Sequence, residues 1–461
     1  MTPRRAAGLA ALAALFVCLP ALRGGFVIDD AYLIVGNQGI RSLGNLPDFF
    51  LRPWGGGEGA SGFVGVNAAY YRPLTTSLFA LEHAVFGPNP VGWHLASISL
   101  HATATAFVVL LAWRLLGSVA AALFGGLLFA VHPVHTEAIA ALCYQTTLLA
   151  GLLAMMALWA LVRHGAGGTR PWRRSLLPAL FTVLAGLAKE EAAALPLLAL
   201  AWLALAPASE QRRANIVPVA GMFLAAALVL LCRQAVVTGS SDTYFGGAGA
   251  AVVLLTMLRV SLLYAGLLLV PLVLCPFYDW FIITPSSSLS VEAVAGGGLM
   301  VALVFGTVAL RKRAPGAAIG LAWLVLALAP VMHIVPILNV AAERFLYLPS
   351  LGFAIAVAAL FDWLRSRRPR LVLGVSAALL GLFAARTLAR WPDWRDDRAL
   401  NQATAADFPE SPTPLLNLAR IEEAAGNRAA ALRHLEEAAK RAPGWPVPVQ
   451  QAKRLRAATS R

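Results

Sequence analysis

The chain has 461 residues, of which 59% are hydrophobic and 13% charged, and its formal net charge is +14. Soluble domains carry about 25% charged residues. A mean hydropathy of +0.71 therefore excludes an ordinary water-soluble globule, and the same apolar content excludes a disordered chain.

What remains is an all-α, polytopic helical membrane protein. The Leu, Ala and Val residues come in blocks near the roughly 20 residues that span a bilayer, not in short alternating segments. The chain begins MTPRRAAGLAALAALFVCLPALRGG. The apolar run is long for a signal peptide and no small-x-small site precedes Arg23, so it reads as a retained first helix with its N-terminus inside. Further spans are expected near 90–116, 118–131, 136–162, 175–188, 190–206, 214–232, 294–310, 316–335, 346–364 and 370–388. With the first helix this makes about eleven crossings.

The basic excess sits between these blocks: Arg163, Arg170, Arg173 and Arg174; Arg212 and Arg213; Arg311, Lys312 and Arg313; Arg365, Arg367, Arg368 and Arg370. Short basic loops set topology by the positive-inside rule and touch anionic lipid; nucleic acid is not implied. With the N-terminus inside, all of them fall inside, provided that segment 250–275 does not cross once. That segment is therefore expected to be re-entrant, or a pair of short helices on the outer side. The tail then leaves on the extracytoplasmic side. Asp29, Asp30, Asp48, Glu58, Glu82, Glu137, Glu190, Glu191, Asp242, Asp279, Glu292 and Glu343 gather at the outer face, and only Glu210 and Asp362 fall inside. Carboxylates at the ends of spans are expensive, so the chemistry is expected there. Cys18, Cys143, Cys232 and Cys275 have no paired spacing, which argues against a disulfide framework or a thiolate metal site.

The first outer loop, 24–72, opens with GGFVIDDAYLIVGN. Adjacent carboxylates repel, and burial raises the pKa of one. Asp29 and Asp30 thus suit a general base for a hydroxyl acceptor or an anchor for a divalent cation; a solvated turn is the plainer alternative. Arg72, after Tyr70 and Tyr71, either pairs with a phosphate or snorkels. His94 and His101 share a helical face, where core hydrogen bonding is the default. His132 and His135 could share a metal, but Pro133 between them favours a structural or substrate-orienting role, with Glu137 beside them. Lys189, Glu190 and Glu191 stand at an outer bend, where a lysine could offset phosphate charge. Glu343 and Arg344 precede another span, and a guanidinium grips phosphate in a bidentate way. Internal ion pairing is the alternative for both segments.

From residue 390 the apolar blocks stop. SPTPLLNLARIEEAAGNRAAALRHLEEAAKRAPGWP fits one tetratricopeptide (TPR) repeat, with Leu418 and Ala419 on its first helix, Gly426 at the turn, Ala431, Leu435 and Ala438 on the second, and Pro443 as terminator. A lone repeat must dock on the membrane domain, on its preceding helix or on a partner. The expected division is 1–389, transmembrane, and 390–461, an extracytoplasmic linker with a short TPR-like helical hairpin.

Together FVIDDAYLIVGN, YYRPLTTSLFALEHAVFG, LFAVHPVHTEAIAAL, GLAKEEAAALPLL and AERFLYLPSLGF, in that order, resemble the transmembrane and tetratricopeptide-repeat (TMTC) family and its bacterial relatives. The resemblance covers nearly the whole chain. It implies a GT-C-type membrane glycosyltransferase moving a mannose-like sugar from a polyprenyl-phosphate donor to a protein Ser/Thr or glycan hydroxyl. It implies Asp29 as base with Asp30 as its partner or a metal ligand, Lys189, Arg344 and Arg72 on the donor phosphate, and His132, His135, Glu137, Glu190 and Glu343 in support. No cofactor is implied; a divalent cation at Asp29 and Asp30 stays open. The family carries many tandem repeats, whereas one is found here. Only four lysines stand in an Arg- and Ala-rich chain, which suits a bacterial inner membrane with the site periplasmic. An O-antigen ligase or polymerase would place its large outer loop late in the sequence, and a transporter would need mid-bilayer charges and broken helices. A non-catalytic TPR-bearing scaffold would not need the DD, KEE and AER motifs.

Overall fold

The computed structural model describes residues 1–54, 70–163, 171–205, 209–237 and 244–457. Glu58, Arg170 and Asp242 lie outside these residues, as does the side chain of Glu210. All regular elements among the described residues are helical.

Helix α1 (Pro3–Cys18) is capped by Thr2, whose hydroxyl accepts from Arg5 N, with Pro3 in its first turn. A π turn at Ala31–Val35 and the short α2 (Leu46–Phe49) occupy the first loop. There follow α3 (Pro73–Phe86), α4 (Pro90–Leu116), α5 (Val119–Ala130), α6 (Thr136–Ala140), α7 (Gln145–Val162), α8 (Pro171–Ala188), α9 (Leu195–Leu205) and α10 (Ser209–Val236). Next come α11 (Ala250–Leu269), α12 (Val291–Leu310), α13 (Pro315–Leu328), α14 (Pro349–Arg365) and α15 (Pro369–Arg390). Seven of the described helical stretches are long and apolar enough to cross a bilayer, or eight if the bent α5–α6 pair is one span.

The main core is built where α1, α4, α5 and α7 meet. Small residues let these helices approach closely, as expected when lipid supplies no hydrophobic drive between them. Between α13 and α14 the contact is backbone to backbone: a Cβ on Gly352 would lie 2.3 Å from Leu324 N and 2.5 Å from Gly320 O. The outer faces of α12 and α15 expose Val301, Phe305, Leu371 and Val375, the surface a lipid-facing helix needs.

Two expectations are corrected. Segment 136–162 is not one helix. His132 is extended ahead of Pro133, since a residue before proline avoids the helical region; α5 and the following segment meet at 49°, and a turn at Leu142–Tyr144 precedes α7. Segment 250–275 is neither a re-entrant loop nor two short helices: α11 is one unbroken helix of 20 residues. Tyr244 N, just before it, donates to Ile337 O at 3.0 Å, and Leu268 O lies 3.0 Å from His132 Nε2.

The tail forms α16 (Asp397–Asp407), α17 (Thr413–Ala424), α18 (Arg428–Arg441) and α19 (Pro446–Ala457). The α17–α18 hairpin turns at Gly426, whose φ of +78° suits glycine. Leu418, Ala419, Ala431, Leu435 and Ala438 are buried with Ala405 of α16 and Leu455 of α19 in a separate small core. The hairpin thus packs between the helices on either side of it. The tail docks on the 277–283 loop: Ser411 Oγ donates to Asp279, and Trp445 meets Phe281 with ring centroids 5.2 Å apart.

Gly352→Ala is expected to destabilise the protein by about 1–3 kcal/mol through overpacking. Gly374→Ala, with open space around the new methyl, is expected to leave the thermal midpoint in detergent unchanged.

Candidate functional site on the first-loop side

Glu137, on α6, has no solvent exposure. It accepts from Arg344 N at 2.7 Å and from the Arg344 guanidinium. Both groups of one residue therefore satisfy one carboxylate, which fixes the guanidinium in direction as well as position. The aromatic ring of Tyr144 lies under it, 4.0 Å from the guanidinium carbon, in cation–π contact.

Asp30 shares the construction. Its carboxylate accepts from Val27 N at 3.0 Å, Leu142 N at 3.2 Å and Cys143 N at 2.6 Å. Fully buried, it clamps the first loop to the turn that presents Tyr144. Burial pushes its carboxyl up to about 7, against the three N–H groups that favour the ionised form. The Asp30 oxygens thus already face three N–H donors. Among the described residues no group of three or more His, Cys, Asp or Glu side chains is arranged to hold a metal.

Asp29 is the free member of the pair. It is half-buried, and among the described residues no donor bonds its side chain. Burial holds its carboxyl above the usual carboxylate range; Arg344 opposes that rise and Asp397 adds to it. The preceding residue, Ile28, has φ +54°, an uncommon conformation for a β-branched residue. A strained residue and a π turn thus flank the carboxylate, and both features concentrate at functional sites.

The other two cations are also paired. Lys189 Nζ lies 2.9 Å from Glu191 Oε2 and donates to Thr147 Oγ1 at 3.0 Å. Arg72 donates from Nε to Glu190 Oε2 at 3.0 Å, and Tyr71 N donates to Glu190 Oε1 at 2.6 Å. The Arg72 guanidinium lies in a corner made by the rings of Trp54 and Tyr70, 4.3 Å from each ring centroid, the two rings meeting edge to face at 66°. Arg72 and Arg344 are both near enough for their charges to act on Lys189. The structure therefore brings together Asp29, Arg72, Lys189 and Arg344. Thr147, Lys189, Glu191 and Arg344 supply the polar atoms of a cavity whose other walls include Ala150, Gly151, Leu198, Ala327 and Leu348.

The remaining candidates sit elsewhere. His132 Nδ1 accepts from Val134 N at 3.3 Å, and its Nε2 meets Leu268 O. His135 lies 3.0 Å from Phe129 O and 2.9 Å from Ser350 Oγ. Both rings tie the α5–α6 break to its neighbours and are fully engaged. Glu343 turns away from Arg344: its buried carboxyl faces the charge of Arg390, and burial pushes it up to about 8. Glu191, placed beside Lys189 by sequence, and Thr147, Trp54, Tyr144 and Asp397, which were given no role there, complete the surroundings.

Among curated proteins, protein O-mannosyl-transferase Tmtc1 of Drosophila melanogaster is 29% identical over 91% of this chain and 60% of its own length. Mouse protein O-mannosyl-transferase TMTC4 is 26% identical over 89% of this chain and 63% of its own. The chain is a relative of the TMTC proteins. It spans about three fifths of the length of these two TMTC relatives. No family model matches. Among solved structures, archaeal oligosaccharyltransferase AglB from Archaeoglobus fulgidus, in complex with an inhibitory peptide and a dolichol-phosphate, is similar with TM-score 0.47 and 14% identity. That similarity covers 86% of this chain and 55% of the other.

Asp30→Ala would orphan three buried N–H groups, each worth about 1–3 kcal/mol, and is expected to lower the thermal midpoint sharply. Asp29→Asn is expected to leave it unchanged or raised at pH 7. A folded state that holds an acid above its ordinary pKa disfavours the charged form, so neutralising it removes a cost.

Proposed function

We propose that this chain is an integral-membrane glycosyltransferase of GT-C type. It moves a mannose-like sugar from a polyprenyl-phosphate donor to a hydroxyl of a protein Ser/Thr or a glycan. The reaction takes place on the extracytoplasmic face, in a bacterial inner membrane with the site and the tail periplasmic. The observation that carries this reading is Asp29: a half-buried carboxylate free of hydrogen-bond donors among the described residues, set beside an arginine whose own geometry is fixed.

The acceptor hydroxyl attacks the anomeric carbon and Asp29 takes its proton. The bond from that carbon to the phosphate oxygen breaks, and the electron pair leaves with the lipid phosphate in a single inverting displacement. Developing phosphate charge meets Lys189 and Arg344, with Arg72 nearby, and such preset cations act before any reorganisation is needed. The cavity at Lys189 and Arg344 supports a lipid-linked donor, because a polar end and apolar walls suit a phosphate joined to a hydrocarbon chain. The O-mannosyl-transferase names of the relatives support the sugar and the protein acceptor. The α17–α18 hairpin, read as a single TPR repeat, would present the acceptor or a protein partner.

The purified protein in detergent, given radiolabelled polyprenyl-phosphate mannose and membrane lysate as acceptor source, is expected to transfer label. Asp29→Asn should fold and lose transfer by about 10²–10⁴-fold, the usual worth of a general base. Full activity in Asp29→Asn would remove Asp29 from the mechanism.

A further inference from the structure

The segment after α15 does not simply lead away from the bundle. It crosses the end of α1 and bonds the first loop at successive points. Trp391 Nε1 donates to Val17 O at 2.8 Å. Gly25 N donates to Arg395 O at 2.9 Å. Ile28 N donates to Asp397 Oδ1 at 2.7 Å. Trp391 and Trp394 are buried beside these contacts. The last bond reaches the residue with the left-handed backbone, one position before Asp29. Asp397 is itself fixed, because it opens α16, whose N-terminus is capped by the Asp396 side chain accepting from Ala399 N at 2.8 Å.

We infer that Asp397 is the positioning residue for Asp29: its carboxylate holds Ile28 in the conformation that presents Asp29 to the acceptor, so the tail completes the membrane-embedded site. This rests on the transferase reading above. The argument is geometric. Ile28 pays a backbone cost for its φ, and such strain persists only where surrounding contacts over-determine it. The bond from Asp397 is such a contact, and Asp30 on the other side of Asp29 supplies the second through Val27 N. Asp29 is then held from both sides by carboxylates that themselves do no chemistry.

The same placement puts a second negative charge near Asp29. The charged and titratable groups around Asp29 are Arg344, Asp397, Tyr144 and Cys143, with Asp30 next along the chain; Asp397 in turn faces Asp396. Like charge disfavours ionisation, so Asp397 keeps Asp29 more basic than Arg344 alone would allow.

Two variants separate bond from charge. Asn at 397 still offers an oxygen to Ile28 N but carries no charge, whereas Ala offers neither. The measurements are the pH profile of kcat with radiolabelled polyprenyl-phosphate mannose, KM for that donor, and hydrogen exchange of the peptide covering residues 24–33. Asp397→Asn should keep near-normal exchange and move the acid limb of the profile to lower pH. Asp397→Ala should speed exchange and lower kcat by about 10–100-fold, the scale of a misplaced catalytic group, with donor KM little changed. If both variants match wild type in profile and exchange, the inference is overturned. An inactive wild type in which Asp397→Ala still speeds exchange would overturn the transferase reading while upholding the clamp on the Asp29 loop.

Discussion

Glu137 sits wholly inside the protein, and its charge is matched by one residue used twice, through the backbone N–H and the guanidinium of Arg344. An ion pair buried this deeply gains no net stability over well-packed apolar residues, yet losing either partner strands the other at a cost of about 3–5 kcal/mol. What it supplies is direction. It locks the α5–α6 break to the turn before α14 and fixes the plane of the guanidinium. Tyr144 supports that plane from below, and Asp30 holds Tyr144's turn. A cation that acts on Asp29 and lines the cavity is therefore set by the fold before any ligand arrives.

The same economy runs through the other cations. Each is paired with a glutamate, so the cluster is close to neutral as it stands. Lys189 also bonds Thr147, and Arg72 lies against two aromatic rings. Such pairs pre-orient the donors, and an incoming phosphate has only to compete with a carboxylate, not to organise a loop. The tail extends the arrangement beyond the membrane domain. Through the strap at Trp391–Asp397 it is joined to the first loop, and through Ser411 and Trp445 to the 277–283 loop. Membrane bundle and helical tail are thus joined at two places, even though each has its own core.

Much of this was legible in the sequence for physical reasons. Apolar blocks of bilayer length specify a helical membrane bundle, and Asp29, Arg72, Lys189 and Arg344 announced themselves as charges at the ends of such blocks, where charge is costly. Other features depend on three-dimensional contacts that no local pattern records. The Glu137–Arg344 pair joins residues 207 positions apart. The division of labour between Asp29 and Asp30 is set by the backbone of Ile28 and by N–H groups from another turn, so two neighbouring aspartates look equivalent until folded. Segment 250–275 had the composition of a span, and charge parity kept it from crossing once. The helix is continuous and long enough to cross, so charge parity along the sequence did not reveal its shape. Asp397 was given no role from sequence, because its partner lies 369 residues away.

The central claim is that the paired cations form a seat for a lipid phosphate and that Asp29 acts on the acceptor, not on the donor. Binding of polyprenyl phosphate to the purified protein, followed by native mass spectrometry, tests this most directly across wild type, Asp29→Asn and Lys189→Gln. The account predicts equal binding by wild type and Asp29→Asn and weaker binding by Lys189→Gln. Equal binding by all three, or binding lost only in Asp29→Asn, would contradict it.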